Sequence, residues 1–114
     1  MHIYIVVPFY NEEKHIVDVV KGFSSYKIPA VLIDDGSTDS SNRKLQESKN
    51  PRIQILTHKI NLGKGAAMKT GADWAFNEGA DAVIFMDGDS QHDPADLPEF
   101  INKLEKEKAD VVLS

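Results

Sequence analysis

Five short apolar runs rich in β-branched residues, Ile3–Val7, Ala30–Ile33, Ile53–Leu56, Ala82–Met86 and Val111–Leu113, recur along the chain with helix-like segments between them. That alternation is the pattern of an α/β protein built on a largely parallel sheet. The runs are near-continuous stretches of apolar residues, as expected of strands buried on both faces. With 114 residues, 41% of them hydrophobic, the chain fits one domain with one modest core. No internal repeat, low-complexity tract or linker-like stretch interrupts it.

The intervening segments carry helix signals. Asn11 is a good N-cap, Glu12 and Glu13 suit a first turn, and Ile16, Val19, Val20 and Phe23 recur at helical spacing, with Gly22 and Pro29 bracketing the exit. A second helix is expected over Ser40–Ser48 with Thr38 or Asp39 as its cap, although Leu45 is its only large apolar residue. Between Gly65 and Asn77 the small residues Ala66, Ala67, Gly71, Ala72 and Ala75 predict a helix packed closely on a sheet, with Met68, Trp74 and Phe76 supplying bulk. Asp93 and Pro94 open a last helix whose stripe is Leu97, Phe100, Ile101 and Leu104. The alternating lysines and glutamates of Lys103–Lys108 read as its solvated face.

Composition removes several function classes. A net charge of −5 argues against a broad nucleic-acid footprint. The absence of cysteine excludes disulfides, thiolate metal sites and thiol catalysis. No apolar run approaches the roughly 20 residues that span a bilayer. Ile3–Val7 is too short for a signal-peptide core, lacks a basic flank and stops at Pro8, so the expected location is the cytoplasm, free or at the cytoplasmic face of a membrane.

Three polar clusters follow three of the apolar runs: Pro8-Phe9-Tyr10-Asn11-Glu12, Asp34-Asp35-Gly36-Ser37-Thr38-Asp39 and Asp87-Gly88-Asp89-Ser90-Gln91-His92. In a parallel sheet these share the carboxyl edge, where ligands of open α/β sheets bind at a switch in strand order. Asp87 and Asp89 offer hard oxygen ligands suited to magnesium or manganese, ions that keep positions open for substrate phosphates. The competing reading of this segment is an Asp-Gly hairpin turn, but the polar stretch after it leads into a helix and not a strand. Asp34 or Asp35 could accept a hydrogen bond from a nucleobase or ribose, or simply belong to a capped loop. In Asn61-Leu62-Gly63-Lys64-Gly65, Gly65 stands where a Walker loop needs Ser or Thr, and Met68 stands where a dinucleotide fingerprint needs its third glycine. What remains is a turn into a helix N-terminus, with Lys64 either a diphosphate contact or an exposed solubilising lysine. His2, His15, His58 and His92 show no ligand-pair spacing, and only His92 sits beside a candidate cluster.

The segments "IVVPFYNEE", "VLIDDGSTDSS", "NLGKGAAMKTGADWA" and "VIFMDGDSQHDPADLPEFI" together resemble the ordered signatures of family-two inverting glycosyltransferases. The form "DGDSQHDP" is similar to the subgroup of dolichol-phosphate mannose synthase and bacterial polyprenyl-phosphate glycosyltransferases. The resemblance implies a GT-A fold, a three-layer α/β/α Rossmann-like arrangement with a mostly parallel sheet. It implies that Pro8, Tyr10 and Glu12 frame the nucleotide and that Asp35 contacts the base. It further implies that Asp87, Gly88 and Asp89 hold the diphosphate, and that Asp87 and Asp89, joined by Gln91, hold Mg2+ or Mn2+.

The expected partners are a nucleoside-diphosphate sugar and an acceptor that is a lipid phosphate or a glycan. Because family catalytic domains run on for about another hundred residues, residues 1–114 are expected to be the nucleotide-sugar-binding portion alone. The acceptor half and any catalytic base would lie elsewhere, leaving this portion inactive by itself and prone to self-association through an apolar edge. Two alternatives share the acidic strand edge: a haloacid-dehalogenase-like phosphatase and a receiver-like magnesium-binding domain. The first needs a downstream lysine and acidic pair on later strands. The second needs its acidic pair after the first strand, where this chain has Pro8-Phe9-Tyr10.

Overall fold

The computed structural model describes residues 2–88, 98–99, 101–103 and 111–113. Its strands are β1 (Ile3–Phe9), β2 (Ala30–Asp35), β3 (Ile53–His58), β4 (Ala82–Phe85) and β5 (Val111–Leu113), one for each apolar run. They form one sheet in the order β3-β2-β1-β4-β5, and every pairing is parallel. β1 is central, and the order reverses beside it: the chain moves outward through β2 and β3, then returns to the other flank of β1 with β4. The carboxyl ends of β1 and β4 therefore bound the crevice that such a reversal opens.

Helices α1 (Ile16–Ser24), α2 (Ser41–Ser48) and α3 (Lys64–Asn77) cover the two faces. Side chains alternate across the strands. Ile5, Val7 and Phe9 of β1 and Leu32 of β2 join Ile16, Val19, Val20 and Phe23 of α1 and Leu45 of α2 in one core. Val6, Val31, Ile33 and Val83 meet Ala67 and Ala75 of α3 in the other. The small-residue face of α3 has a steric cause: a Cβ on Gly71 would strike Ile33 Cδ1 and Val6 Cγ1. Trp74 packs edge-on against Tyr4, with ring centroids 6.0 Å apart.

Four expectations need correction. α1 starts at Ile16 and not near Asn11: Asn11 has a φ of 52°, and residues 12–15 form a turn closed by hydrogen bonds from the His15 and Ile16 amides to the Glu12 carbonyl. Gly22 lies inside α1, which runs on to Ser24. β3 is only half-buried, with Gln54 and Thr57 exposed, because it lies at the sheet edge. Phe76 points to solvent, 40% exposed, and supplies no bulk to the core. α2 forms as expected on the single buried apolar residue Leu45. Asp39 serves its first turn from two positions ahead, accepting the Ser41 amide and hydroxyl. Residues 98–99 and 101–103 are helical, with Ile101 packed on the α1 core. The expected helix opening at Asp93 and Pro94, and its positions Leu97, Phe100 and Leu104, lie outside the described residues.

Candidate functional site

Three loops at the carboxyl edge are stitched into one wall. The loop after β1 meets the loop after β2 through Asn11, whose amide donates to Ser37 Oγ at 2.9 Å. Its side-chain oxygen accepts the Thr38 and Asp39 amides at 2.8 and 3.3 Å. The Glu12 amide donates to Ser41 Oγ and the Glu13 amide to Asp39. Asp34, 3% exposed, closes the second loop by accepting the Ser37 amide and the Asn42 side chain. Asp35 joins the second loop to the third: Oδ1 accepts the Leu62 amide and Oδ2 the Gly63 amide, each at 2.9 Å. Gly36 makes that junction possible, lying against the Ile60–Asn61 backbone with a φ of 78°.

A cavity of about 430 Å³ opens within this wall, in the range of small-molecule sites. Pro8 and Tyr10 line it from the end of β1, with Glu12 beyond them; Asp35 from the end of β2; Lys64 from the start of α3; Asp87 and Gly88 from the end of β4. The structure thus gathers these sequence-selected residues at the reversal of strand order. Asp89, Gln91 and His92 lie outside the described residues. Phe9, Asn61, Gly63 and Ala67 also line the cavity and were not selected. Gly88 is buried, and a Cβ there would come within 2.7 Å of the Phe9 Cβ. The glycine between the two aspartates is required by packing on β1.

Electrostatically the cleft opposes acids and one base. Lys64 Nζ lies 2.5 Å from Asp87 Oδ1, in a pair whose side chains are 63% and 28% exposed. A carboxylate that already draws an ammonium into the cleft fits a divalent cation as well. Among the described residues no three histidine, aspartate or glutamate side chains converge, so any ion here would complete its shell with water and substrate oxygens, as Mg2+ and Mn2+ do. The N-terminus of α3 opens on the same cavity through Gly63 and Lys64, adding positive potential.

One residue escaped the sequence reading. His58, the last residue of β3, pairs in register with Asp35. Its ring lies between the Asp35 carboxylate and the Thr70 hydroxyl, with Nδ1 2.9 Å from Asp35 Oδ1 and Nε2 2.9 Å from Thr70 Oγ1. Burial pushes the Asp35 carboxyl up, but the His58 ring and the Leu62 and Gly63 amides outweigh it and hold it below the ordinary 3.8. Asp39 behaves alike: burial raises it, and Ser41 and the Glu13 amide more than compensate. Both groups therefore bind protons less readily folded than unfolded. The stability they confer is complete above the unfolded value and is lost as pH falls through the lower folded values. Thermal melts should accordingly hold steady with respect to these two groups down to about pH 4 and decline below it. Asp39→Asn should start from a lower melting temperature at pH 6 and decline less steeply. Parallel wild-type and variant curves below pH 4 would remove Asp39 from this account.

A parallel sheet whose strand order reverses beside a cleft at its carboxyl edge defines an open α/β protein of the class that binds ligands at such a switch point. The chain belongs to glycosyl transferase family 2, whose sequence model matches residues 4–114. This sets aside the phosphatase-like and receiver-like alternatives. The chain is 30% identical, over 97% of its length, to the UDP-N-acetylglucosamine–dolichyl-phosphate N-acetylglucosaminyltransferase of Methanococcus voltae, of which it covers 50%. The chain spans a third to a half of the length of such relatives (48, 34 and 50% of three of them). Among solved structures, S. aureus TarS 1–349 in complex with UDP superposes with a TM-score of 0.79 at 21% identity, over 96% of this chain and 34% of that one. The mannosyltransferase PcManGT of Pyrobaculum calidifontis, in complex with GDP-Man and Mn2+, superposes with a TM-score of 0.66 at 23% identity, over 77% of this chain and 27% of that one. The GT-A fold expected from the motifs is the fold observed. Among the described residues no helix is long and apolar enough to cross a membrane.

Proposed function

We propose that residues 1–114 bind the nucleoside-diphosphate sugar of an inverting glycosyltransferase, and that the acceptor is a polyprenyl phosphate met at the cytoplasmic face of a membrane. The observation that carries this reading is the convergence of Asp35, Lys64 and Asp87 in one cleft where strand order reverses. Asp35 is the base acceptor, and Pro8, Tyr10 and Glu12 form the wall beside the nucleoside. Lys64 and the α3 N-terminus face the diphosphate. Asp87, with Asp89 and Gln91, would hold Mg2+ or Mn2+. A cation so held supplies Lewis-acid neutralisation of the departing diphosphate. The acceptor then attacks the anomeric carbon from the face opposite the diphosphate, which inverts its configuration. A lipid phosphate is already anionic and needs no base for that attack, whereas an alcohol would. The acceptor pocket is placed outside residues 1–114, in keeping with the greater length of the relatives.

The test is a thermal-shift panel of uridine and guanosine diphosphates with and without Mn2+, followed by transfer assays from labelled donor to polyprenyl phosphate. At about 100 times its dissociation constant, the preferred nucleotide with Mn2+ should add roughly 2.7 kcal/mol, and a chelator should abolish the gain. Residues 1–114 alone should bind donor, transfer no sugar and self-associate in light scattering. Equal stabilisation in chelator would remove the metal from the reading. Turnover by a monomer of residues 1–114 would overturn the division into donor and acceptor parts.

A further inference from the structure

The Asp35 carboxylate sits on the cavity wall, yet most of its accepting capacity is already used. Oδ1 takes the Leu62 amide and faces His58 Nδ1, while Oδ2 takes the Gly63 amide. An ionised carboxylate only accepts, and it offers about four lone-pair positions. Three are filled, so one remains, on Oδ2. Because the carboxylate cannot donate, His58 Nδ1 carries the hydrogen between them. Nε2 then faces the Thr70 hydroxyl, which can turn to satisfy it. The three side chains come from the ends of β2 and β3 and from α3, so the ring is braced from two sides.

We propose that His58, braced by Thr70, is a positioning residue for donor recognition: it locks the rotation of the Asp35 carboxylate so that the single remaining acceptor position on Oδ2 meets one N–H of the nucleobase. This rests on the reading of Asp35 as the base acceptor. A histidine serving only as scaffold would also be satisfied by its partners, but its loss would weaken every ligand of the cleft alike. A positioning histidine acts on the nucleoside more than on the diphosphate end. Asp87 follows β4, and Lys64, although it shares α3 with Thr70, is held at the first position of that helix by its own pair with Asp87.

Binding is measured by calorimetry on the purified protein, with uridine and guanosine diphosphates and with pyrophosphate, all in Mn2+. His58→Ala should weaken the preferred nucleoside diphosphate about tenfold, in line with one lost hydrogen bond to a charged group, and leave pyrophosphate within twofold. His58→Asn, whose amide N–H can replace Nδ1–H, should recover most of the loss. Thr70→Val should fall between. Independently of any variant, the His58 Nδ1–H resonance of the wild type should shift with nucleotide and stay in place with pyrophosphate. Equal losses for both ligands in His58→Ala, or a resonance that ignores nucleotide, would overturn the proposal. If the wild type binds nucleotide, Asp35→Asn loses it and His58→Ala does not, the positioning role alone fails. If the wild type binds neither nucleotide, the reading of the site fails and takes this one with it.

Discussion

Replacing Gly36 with alanine is expected to cost about 2–5 kcal/mol of folding stability, the sum of a left-handed backbone penalty and an overpacking penalty. The added Cβ would lie 2.6 Å from both the Asn61 nitrogen and the Ile60 carbonyl carbon, at a φ of 78°. Those neighbours are backbone atoms, so no rotamer change can relieve the contact. The segment that would have to move is the one whose next two amides are held by Asp35, and the third loop would leave the cleft wall with it. Gly65 supplies the internal control, because a Cβ there meets nothing within 4 Å in a helical position. Gly65→Ala should stabilise by about 0.5–1 kcal/mol. Chemical denaturation of the two variants decides the matter, and a Gly36→Ala protein within 0.5 kcal/mol of wild type would show the junction to be looser than its geometry implies.

The second large effect is on ligand-linked stability. In the variant Asp87→Asn with Asp89→Asn, the roughly 2.7 kcal/mol gained from saturating nucleoside diphosphate and Mn2+ should disappear. For a domain of this size that is a lost shift of about 10–20 °C. The fold itself should respond less than ligand binding does, because Asp87→Asn keeps the size and polarity of the side chain and the Lys64 end of its ion pair is 63% exposed. The reasoning is electrostatic. On the proposed reading a protein of net charge −5 receives an anionic diphosphate beside Asp87, and Lys64, the cation that lines the cavity, is already engaged with that carboxylate. Lys64→Met separates the two cations: it removes the ammonium that competes for Asp87, so it should bind Mn2+ alone at least as well as wild type while binding nucleotide more weakly. Undiminished nucleotide stabilisation in the double asparagine variant would move the cation elsewhere in the cleft.

The strands were legible because burial on two faces leaves a local signature, a continuous apolar run, that needs no knowledge of neighbours. Loop geometry has no such signature. Asn11 reads as a helix cap from its type and position, but its amide and side chain are committed to Ser37, Thr38 and Asp39 across the edge of the sheet, and α1 starts later for that reason. The half-exposure of β3 follows from its place at the edge, which is a property of strand order. His58 was hidden for a related reason: its role depends on standing in register with Asp35, 23 residues away, and register between parallel strands is not written in either strand alone. The aspartates of the cleft were easier because each stands at the end of a continuous apolar run, a position that is read from the sequence alone.

The stitching of the three loops has a consequence for association. Many of their amides and carboxylates are already paired with one another before any ligand arrives, so the wall has little configurational entropy left to surrender on binding. Encounter with a donor would then proceed as a single kinetic phase, without the slow isomerisation that follows capture by a disordered loop. The same bonds hold the fold together at its carboxyl edge, so on the proposed reading base preference would not drift by loop substitution without a toll on folding. Variation in donor choice would have to come from side chains that project into the cleft without joining the network, such as Tyr10.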